Sequence, residues 1–352
     1  MTETRNRLTP AMAQWREAKD RHPDKIILFR MGDFYEMFNE DAVRGARLLD
    51  LTLTQRGKDP DAPPLAGVPH HQLERYLKEL VDRGVSVAVC DQLEDPALAK
   101  GVVKRGTTRV ATPGTRLEEN VLPPRSNNYL AAIAAGKETA LAFADLSTGE
   151  FFAIQPEVCR IEDELARYAP AETLMAREIA ADPGHPLAKL LASGLGGGVT
   201  RRDAYQFDPH EGASRLKSHF GVATLAGFGF ADRPPCLGAA GAILAYLAEN
   251  QAAGLGHLKP PGFRDHSGFL ALDRNSVRNL ELVPPARGTG GEASLLSVID
   301  RTLTGPGGRL LRNWLLRPPA RLEPVRLRQE AVAELMALAG ARRELRTLLS
   351  GL

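Results

Sequence analysis

Phe34 and Glu36 stand two positions apart in the segment Gly32-Asp33-Phe34-Tyr35-Glu36-Met37-Phe38. On an extended backbone, side chains at i and i+2 point the same way. A ring and a carboxyl group would then face one target together. A ring can wedge between stacked bases, and a carboxyl can hydrogen-bond to a base edge. The pair therefore suits a probe that tests whether a base pair is weak enough to be pried apart. The same residue types also fit an aromatic core with a surface glutamate at a strand end, because large aromatics are mostly buried.

Such a probe needs cations to hold phosphates. Residues 96–117 contain no acidic side chain but carry Lys100, Lys104, Arg105, Arg109 and Arg116. Arg56, Lys58, Lys104, Arg105 and Arg109 are accordingly candidates for backbone contacts that position a duplex without reading its sequence. Charge alone fits a solvated basic loop equally well.

Other constellations point to less. His70 and His71 are adjacent, so on an extended chain they point apart, and no cysteine or carboxylate cluster lies at ligand spacing. They read as a helix-entry turn. Asp145, Glu162, Asp163 and Glu164 could be imagined holding two metal ions in a nuclease. However, residues 162–164 sit on one expected helix and would fan out around it. The only Gly-Lys pairs are Gly57-Lys58, followed by Asp59, and Gly136-Lys137, followed by Glu138. Neither fits the phosphate-cradling pattern G-x-x-x-x-G-K-[ST].

The elements that would position Phe34 and Glu36 can be read from periodicity. Residues 25–31 predict a strand, and Asn39-Glu40-Asp41 a helix start running to about residue 51. Leu73, Tyr76, Leu77 and Leu80 predict a helix over 72–83, which Gly84 would end. Residues 85–90 and 109–115 predict further strands. Beyond a Pro-rich linker, strands are expected at 129–135, 139–145 and 149–154, a helix at 161–168 and a buried helix at 236–251. Three sequential strands followed by helices indicate a second α/β domain with an antiparallel portion. From about residue 291 leucines recur at helical spacing, broken by Pro318-Pro319. The run of helix formers up to Leu352 predicts that an all-α domain continues beyond it.

Bulk properties set limits. The chain has 352 residues and a net charge of +2, distributed as +2 over residues 1–116, −6 over 117–300 and +6 over 301–352. DNA contacts are therefore expected at the ends, with an acidic module between them. Cys90, Cys159 and Cys236 are odd in number and far apart, which argues against a disulfide framework and for a reducing cytosol. No apolar run reaches the length of a membrane span.

Several separated blocks resemble the MutS family of bacterial DNA mismatch-repair proteins. They are Thr9-Pro10-Ala11-Met12, Phe29-Arg30-Met31-Gly32-Asp33-Phe34-Tyr35-Glu36, Leu53-Thr54-Gln55-Arg56-Gly57, the segment 65–71, Thr112-Pro113-Gly114-Thr115, the segment 273–282 and the segment 309–315. They fall in the family's order from about residue 8 to 352. Thr304-Gly305-Pro306-Gly307-Gly308 departs from the family, which usually has a bulkier residue before the glycine. The resemblance implies an α/β mismatch-recognition domain over 1–118, a linker over 119–127, an α/β ribonuclease-H-like connector over 128–262 and the start of an all-α core and lever domain over 263–352. It implies that Phe34 is the wedge and that Glu36 bonds to the wedged base. It further implies binding of double-stranded DNA with mismatches or small loops, a MutL-type partner at the connector, a non-nuclease connector, and a cytoplasmic, nucleoid-associated location. ATP, magnesium and the homodimer interface would belong to a clamp and ATPase portion outside this chain, which itself would be no enzyme. The other reading of the same chain is an inactive fragment that serves only as a connector and partner-docking module.

Overall fold

A computed structural model describes residues 9–55, 63–94, 101–115, 125–230, 232–250, 254–284 and 293–350. The chain divides into two compact units, residues 1–116 with 245–256, and 117–244 with 257–352.

In the first unit, α1 (Pro10–Arg21) leads into β1 (Ile26–Met31), β2 (Phe34–Phe38), α2 (Asn39–Leu49), β3 (Thr54–Gln55), β4 (Pro64–Pro69), α3 (Leu73–Asp82), β5 (Val87–Gln92) and β6 (Arg105–Ala111). The strands form one sheet in the order β3-β4-β2-β1-β5-β6. Only β1 and β5 run parallel, and the other pairs are antiparallel. Ile26, Ile27, Leu28 and Phe29 are buried on both faces of the sheet, as a near-continuous apolar run in a central strand requires. Ile26, Leu28, Tyr35 and Met37 pack on one face with Ala42 and Ala46 of α2 and Leu77 and Leu80 of α3. Ile27, Phe29, Phe38 and Cys90 pack on the other face with Trp15 and Ala18 of α1.

Three local details refine the sequence reading. The helix expected at Asn39 does start there, but the Asn39 side chain makes no cap and its φ is +54°. Asp41 turns inward instead, accepting from Lys19 Nζ at 2.7 Å and from the Ile27 backbone N–H at 3.1 Å. His70–Gln72 is a 3₁₀ turn that enters α3, as expected for the histidine pair, and Gly84, at φ +78°, follows the helix. The strand expected at 109–115 runs instead over β6, four residues earlier. Pro113 has no N–H to offer a ladder, and Thr112 and Thr115 close a turn through their hydroxyls at 2.9 Å.

The second unit opens with β7 (Tyr129–Ala134), β8 (Ala140–Asp145) and β9 (Glu150–Ile154), an antiparallel meander. Next come α4 (Ile161–Tyr168), β10 (Glu172–Ala176), α5 (Arg177–Ala181), α6 (Pro186–Ala192), β11 (Gly198–Arg202), α7 (Pro209–Phe220), α8 (Pro234–Asn250), whose residues from 245 on count with the first unit, and β12 (Gly262–Phe263). The sheet order is β11-β10-β7-β8-β9-β12, with β10, β11 and β12 each parallel to its neighbour. Tyr129, Phe143, Phe152 and Tyr168 form one aromatic cluster between sheet and α4, with Phe143 and Tyr168 centroids 4.5 Å apart. α7 crosses α8 at glycines: a Cβ on Gly212 would stand 2.2 Å from the Leu237 carbonyl oxygen.

The chain then turns helical through α9 (Arg274–Asn279), α10 (Leu295–Ile299), α11 (Gly305–Leu316), α12 (Leu322–Ala337) and α13 (Ala339–Leu349). Pro318 and Pro319 fall between α11 and α12, where the sequence places the break. Thr304 caps α11 by accepting from the Gly307 N–H at 3.2 Å, so the departure from the family pattern leaves a regular helix start. Leu327, Val332, Met336 and Leu348 remain exposed.

Candidate nucleic-acid interface

Gly32 and Asp33 form the two-residue turn between β1 and β2, and Gly32 takes φ +60°. A positive φ at the first turn position costs glycine nothing and matches the twist of a tight hairpin. The pairing of Met31 with Phe34 fixes which way every β2 side chain points. Phe34, Glu36 and Phe38 share one face, and Tyr35 and Met37 share the other.

That parity has different consequences along the strand. Phe38 is fully buried against Trp15 of α1, at a centroid distance of 5.7 Å. Two strand steps away, Phe34 is 48% exposed, although it lies on the same face. Glu36, between them, is half-buried. On the opposite face Tyr35 is buried, and its hydroxyl donates to Asp91 Oδ2 at 2.7 Å. Burial, reinforced by that carboxylate, pushes the Tyr35 phenol up to about 12. The strand is thus anchored from behind, while on its other face the Phe34 ring is exposed and Glu36 is half-buried.

The neighbouring strand keeps this face open. Gly67 of β4 pairs with Glu36. A Cβ there would lie 3.7 Å from Glu36 Cγ and 3.9 Å from Phe34 Cδ1, in ordinary contact. Glycine leaves the pair without a flanking side chain on that side. Nothing in the local sequence marks Gly67 for this role, because it depends on the register between β2 and β4.

Of the basic candidates, Arg105 joins this face. It opens β6 opposite Gln92, two residues from Cys90, which packs on the α1 side. Its guanidinium lies over the Phe29 ring, 5.5 Å from the centroid, and Phe29 pairs with Glu36. It donates to the carbonyls of Arg30 at 2.6 Å and Val103 at 2.8 Å. Gln14 of α1 accepts from the Arg105 N–H at 2.8 Å and so fixes the strand start. Burial lowers the Arg105 pKa, and its bonds among the described residues are to carbonyls, not carboxylates. Among the described residues, the guanidinium thus brings a positive charge to the face that carries Glu36, with no carboxylate among its hydrogen-bond partners. Lys104, next to it, is exposed.

Arg109 is not brought to this face. Its strand partner Val89 packs on the α2–α3 side, and the Arg109 guanidinium pairs with Glu74 of α3 at 2.8 Å. Arg56 and Lys58 lie outside the described residues.

The carboxylates considered for a nuclease are drawn to separate tasks. Asp145 is fully buried and accepts from Asn127, the Asn128 N–H and Ser147. Glu162 pairs with Arg274 at 3.1 Å, and Asp163 accepts from the Arg274 N–H at 3.0 Å. Glu164 is buried between Arg167 and His266, the latter at 3.0 Å. Gly136-Lys137 lies in the turn between antiparallel β7 and β8 instead of leading a strand into a helix, so this segment does not fit a nucleotide phosphate cradle.

Comparison with known proteins gives this geometry a family. The family descriptions MutS domain I, MutS domain II and MutS domain III match residues 9–120, 128–259 and 275–352 in that order. The chain belongs to the MutS family. It is similar to the DNA mismatch repair protein MutS of Symbiobacterium thermophilum, 43% identical over 348 residues, covering 97% of this chain and 39% of that protein. The MutS of Myxococcus xanthus is 40% identical and covers 97% and 38%, respectively. That of Methanococcoides burtonii is 43% identical and covers 93% and 37%. The chain thus spans about two fifths of the length of these relatives. Among the described residues of the domain I match, the Phe34–Glu36 face carries an exposed aromatic, a carboxylate and Arg105 together. Among the described residues of this MutS-family chain, no helix is long and apolar enough to cross a membrane.

Proposed function

We propose that this chain is the mismatch-sensing, amino-terminal part of a DNA mismatch repair protein. Its first unit binds duplex DNA at mispaired or unpaired bases, with Phe34 entering from the minor-groove side. The observation that carries this reading is the exposure of Phe34 on a strand whose other aromatics, Tyr35 and Phe38, are buried. Inserting a ring costs a few kcal/mol of unstacking per step and leaves DNA kinked. A mismatched step is already weaker and costs less to open. Selection then follows deformability instead of base identity.

Glu36 bonds to the base beside the ring. An ionised carboxylate accepts from thymine N3–H, whereas meeting a purine N7, itself an acceptor, requires a proton on the carboxyl. Arg105 and Lys104 hold phosphates, and Arg56 and Lys58 remain candidates for the same task. The second unit acts as a ribonuclease-H-like connector that meets a MutL-type partner, followed by the start of the core and lever helices. ATP hydrolysis, magnesium and dimer formation belong to the longer protein of which this reading makes the chain a part, and the chain itself performs no catalysis.

The test is binding of a G·T duplex and its fully paired counterpart at stated salt, by the native chain and by Phe34→Ala. The expected result is a preference for the mismatch that Phe34→Ala abolishes, a change of roughly tenfold or more in the affinity ratio. Equal, steeply salt-dependent binding of both duplexes by both proteins would reduce the interaction to phosphate contacts and refute the wedge.

A further inference from the structure

A second surface of the first unit carries its own chemistry, on the side of the sheet away from Phe34 and Glu36. The outer stripe of α2 presents Glu40, Val43, Arg44 and Arg47, which share one helix face by their spacing of three and four. Beside it lies a cavity of about 770 Å³, lined by this stripe together with Leu48, Pro64, Arg83 and Val85.

The lining has two parts. Among the described lining residues, three guanidiniums, Arg44, Arg47 and Arg83, stand against one carboxylate, Glu40. Arg83 is held by Glu79 at 2.7 Å, whereas Arg44 and Arg47 are exposed and have no hydrogen bond or ion pair among the described residues. Between the charges lie aliphatic groups, with Val85 buried, Leu48 half-buried and Val43 49% exposed. A surface that tracks a nucleic-acid backbone is basic throughout and needs no aliphatic floor. Guanidiniums around an apolar recess instead match carboxylates flanking an aliphatic anchor.

We propose that this groove beside α2 docks an acidic peptide segment of a partner protein, with an aliphatic side chain seated against Val43, Leu48 and Pro64 and carboxylates on Arg44 and Arg47. The site is independent of the wedge, so it is occupied equally in the presence and absence of mismatched DNA.

Fluorescence anisotropy of the full chain with a labelled peptide, Glu-Glu-Leu-Leu-Glu-Glu, tests this against a counterpart with lysine in place of glutamate. Saturable binding of the acidic peptide alone is expected. It should weaken at least about tenfold in Arg44→Glu with Arg47→Glu, a double change on exposed positions, and also in Val43→Asp. Phe34→Ala should leave it unchanged. Absence of saturable binding, equal binding of the lysine peptide, or unchanged affinity in the arginine double variant would overturn the proposal. So would displacement of the peptide by fully paired duplex together with loss of duplex binding in the double variant, since the groove would then be a phosphate surface.

Discussion

The two sheets treat the same residue types in opposite ways. In the first unit, Phe34 and Glu36 sit on the strand face that α1 covers at Phe38 while leaving the Phe34 ring exposed. In the second unit, Phe152 is sealed against Tyr129, Phe143 and Tyr168, and Glu164 is buried between Arg167 and His266. Burial makes an aromatic or a carboxylate structural, because its energy is spent on neighbours within the chain. An aromatic left outside after its strand has been anchored from behind can give that energy to another molecule. The difference lies in coverage, not in residue type.

Replacing the two phenylalanines should give the largest contrast. Phe152→Ala removes a ring that is 2% exposed and should lower the unfolding free energy by about 3–5 kcal/mol in urea titrations. Phe34→Ala should leave the urea midpoint nearly unchanged. A large stability loss in Phe34→Ala would show that the ring belongs to the core after all.

The two glutamates sharpen the same contrast through pH. Burial alone would raise the Glu164 pKa, but the His266 bond and the Arg167 charge together outweigh it, so the folded value lies below the ordinary 4.5. A depressed folded value means that the stabilisation is present above about pH 4.5 and is lost as pH falls through the folded value. Glu164→Ala should therefore cost about 3–5 kcal/mol near neutrality, by leaving the buried Arg167 guanidinium without its carboxylate. The gap from the native chain should shrink in acid. Glu36→Gln, a near-isosteric change at a half-buried position, should cost stability about 1 kcal/mol or less. Its effect should appear in DNA binding instead, where the native chain gains affinity for purine mismatches as pH falls and Glu36→Gln does not. Identical pH profiles for the two proteins on purine and thymine mismatches would remove Glu36 from the base contact.

The smallest contrast lies within β6. Arg105→Ala should weaken binding to all duplexes alike and lower the slope of log affinity against log salt by about 1, as expected for one lost phosphate contact. Arg109→Ala should leave that slope unchanged and cost at most about 1 kcal/mol of stability, since its pair with Glu74 is solvent-exposed. Equal slopes for the two variants would place both arginines on the duplex or neither.

Much of the scaffold was legible. β1, α2, α3, β5, the β7–β9 meander, α4 and α8 fall within a few residues of their expected positions, because each has a local period or a turn residue to mark it. β4, β10 and β11 were not anticipated. In β4 the prolines and Gly67 dilute the pattern, and β11 is short and polar. Of the site, Phe34 and Glu36 could be paired from spacing alone. Arg105 and Arg109 could not be told apart, since both sit in one basic run, and a bulge between Val89 and Cys90 breaks simple parity counting along their strand pair.

The amino-acid sequence determined by itself that Phe34 and Glu36 share a face opposite Tyr35 wherever the backbone is extended, because a strand repeats every two residues; that residues 34–38 form a strand came from the structure. The sequence also determined the α/β character of both sheets and the family. Only the tertiary structure decided that α1 covers Phe38 and not Phe34, that Gly67 lies beside Glu36, and that Glu74 takes Arg109 away from the site. These depend on where distant segments pair and where a helix ends over a sheet. Such relations are set by packing across the whole unit, and no window of neighbouring residues records them.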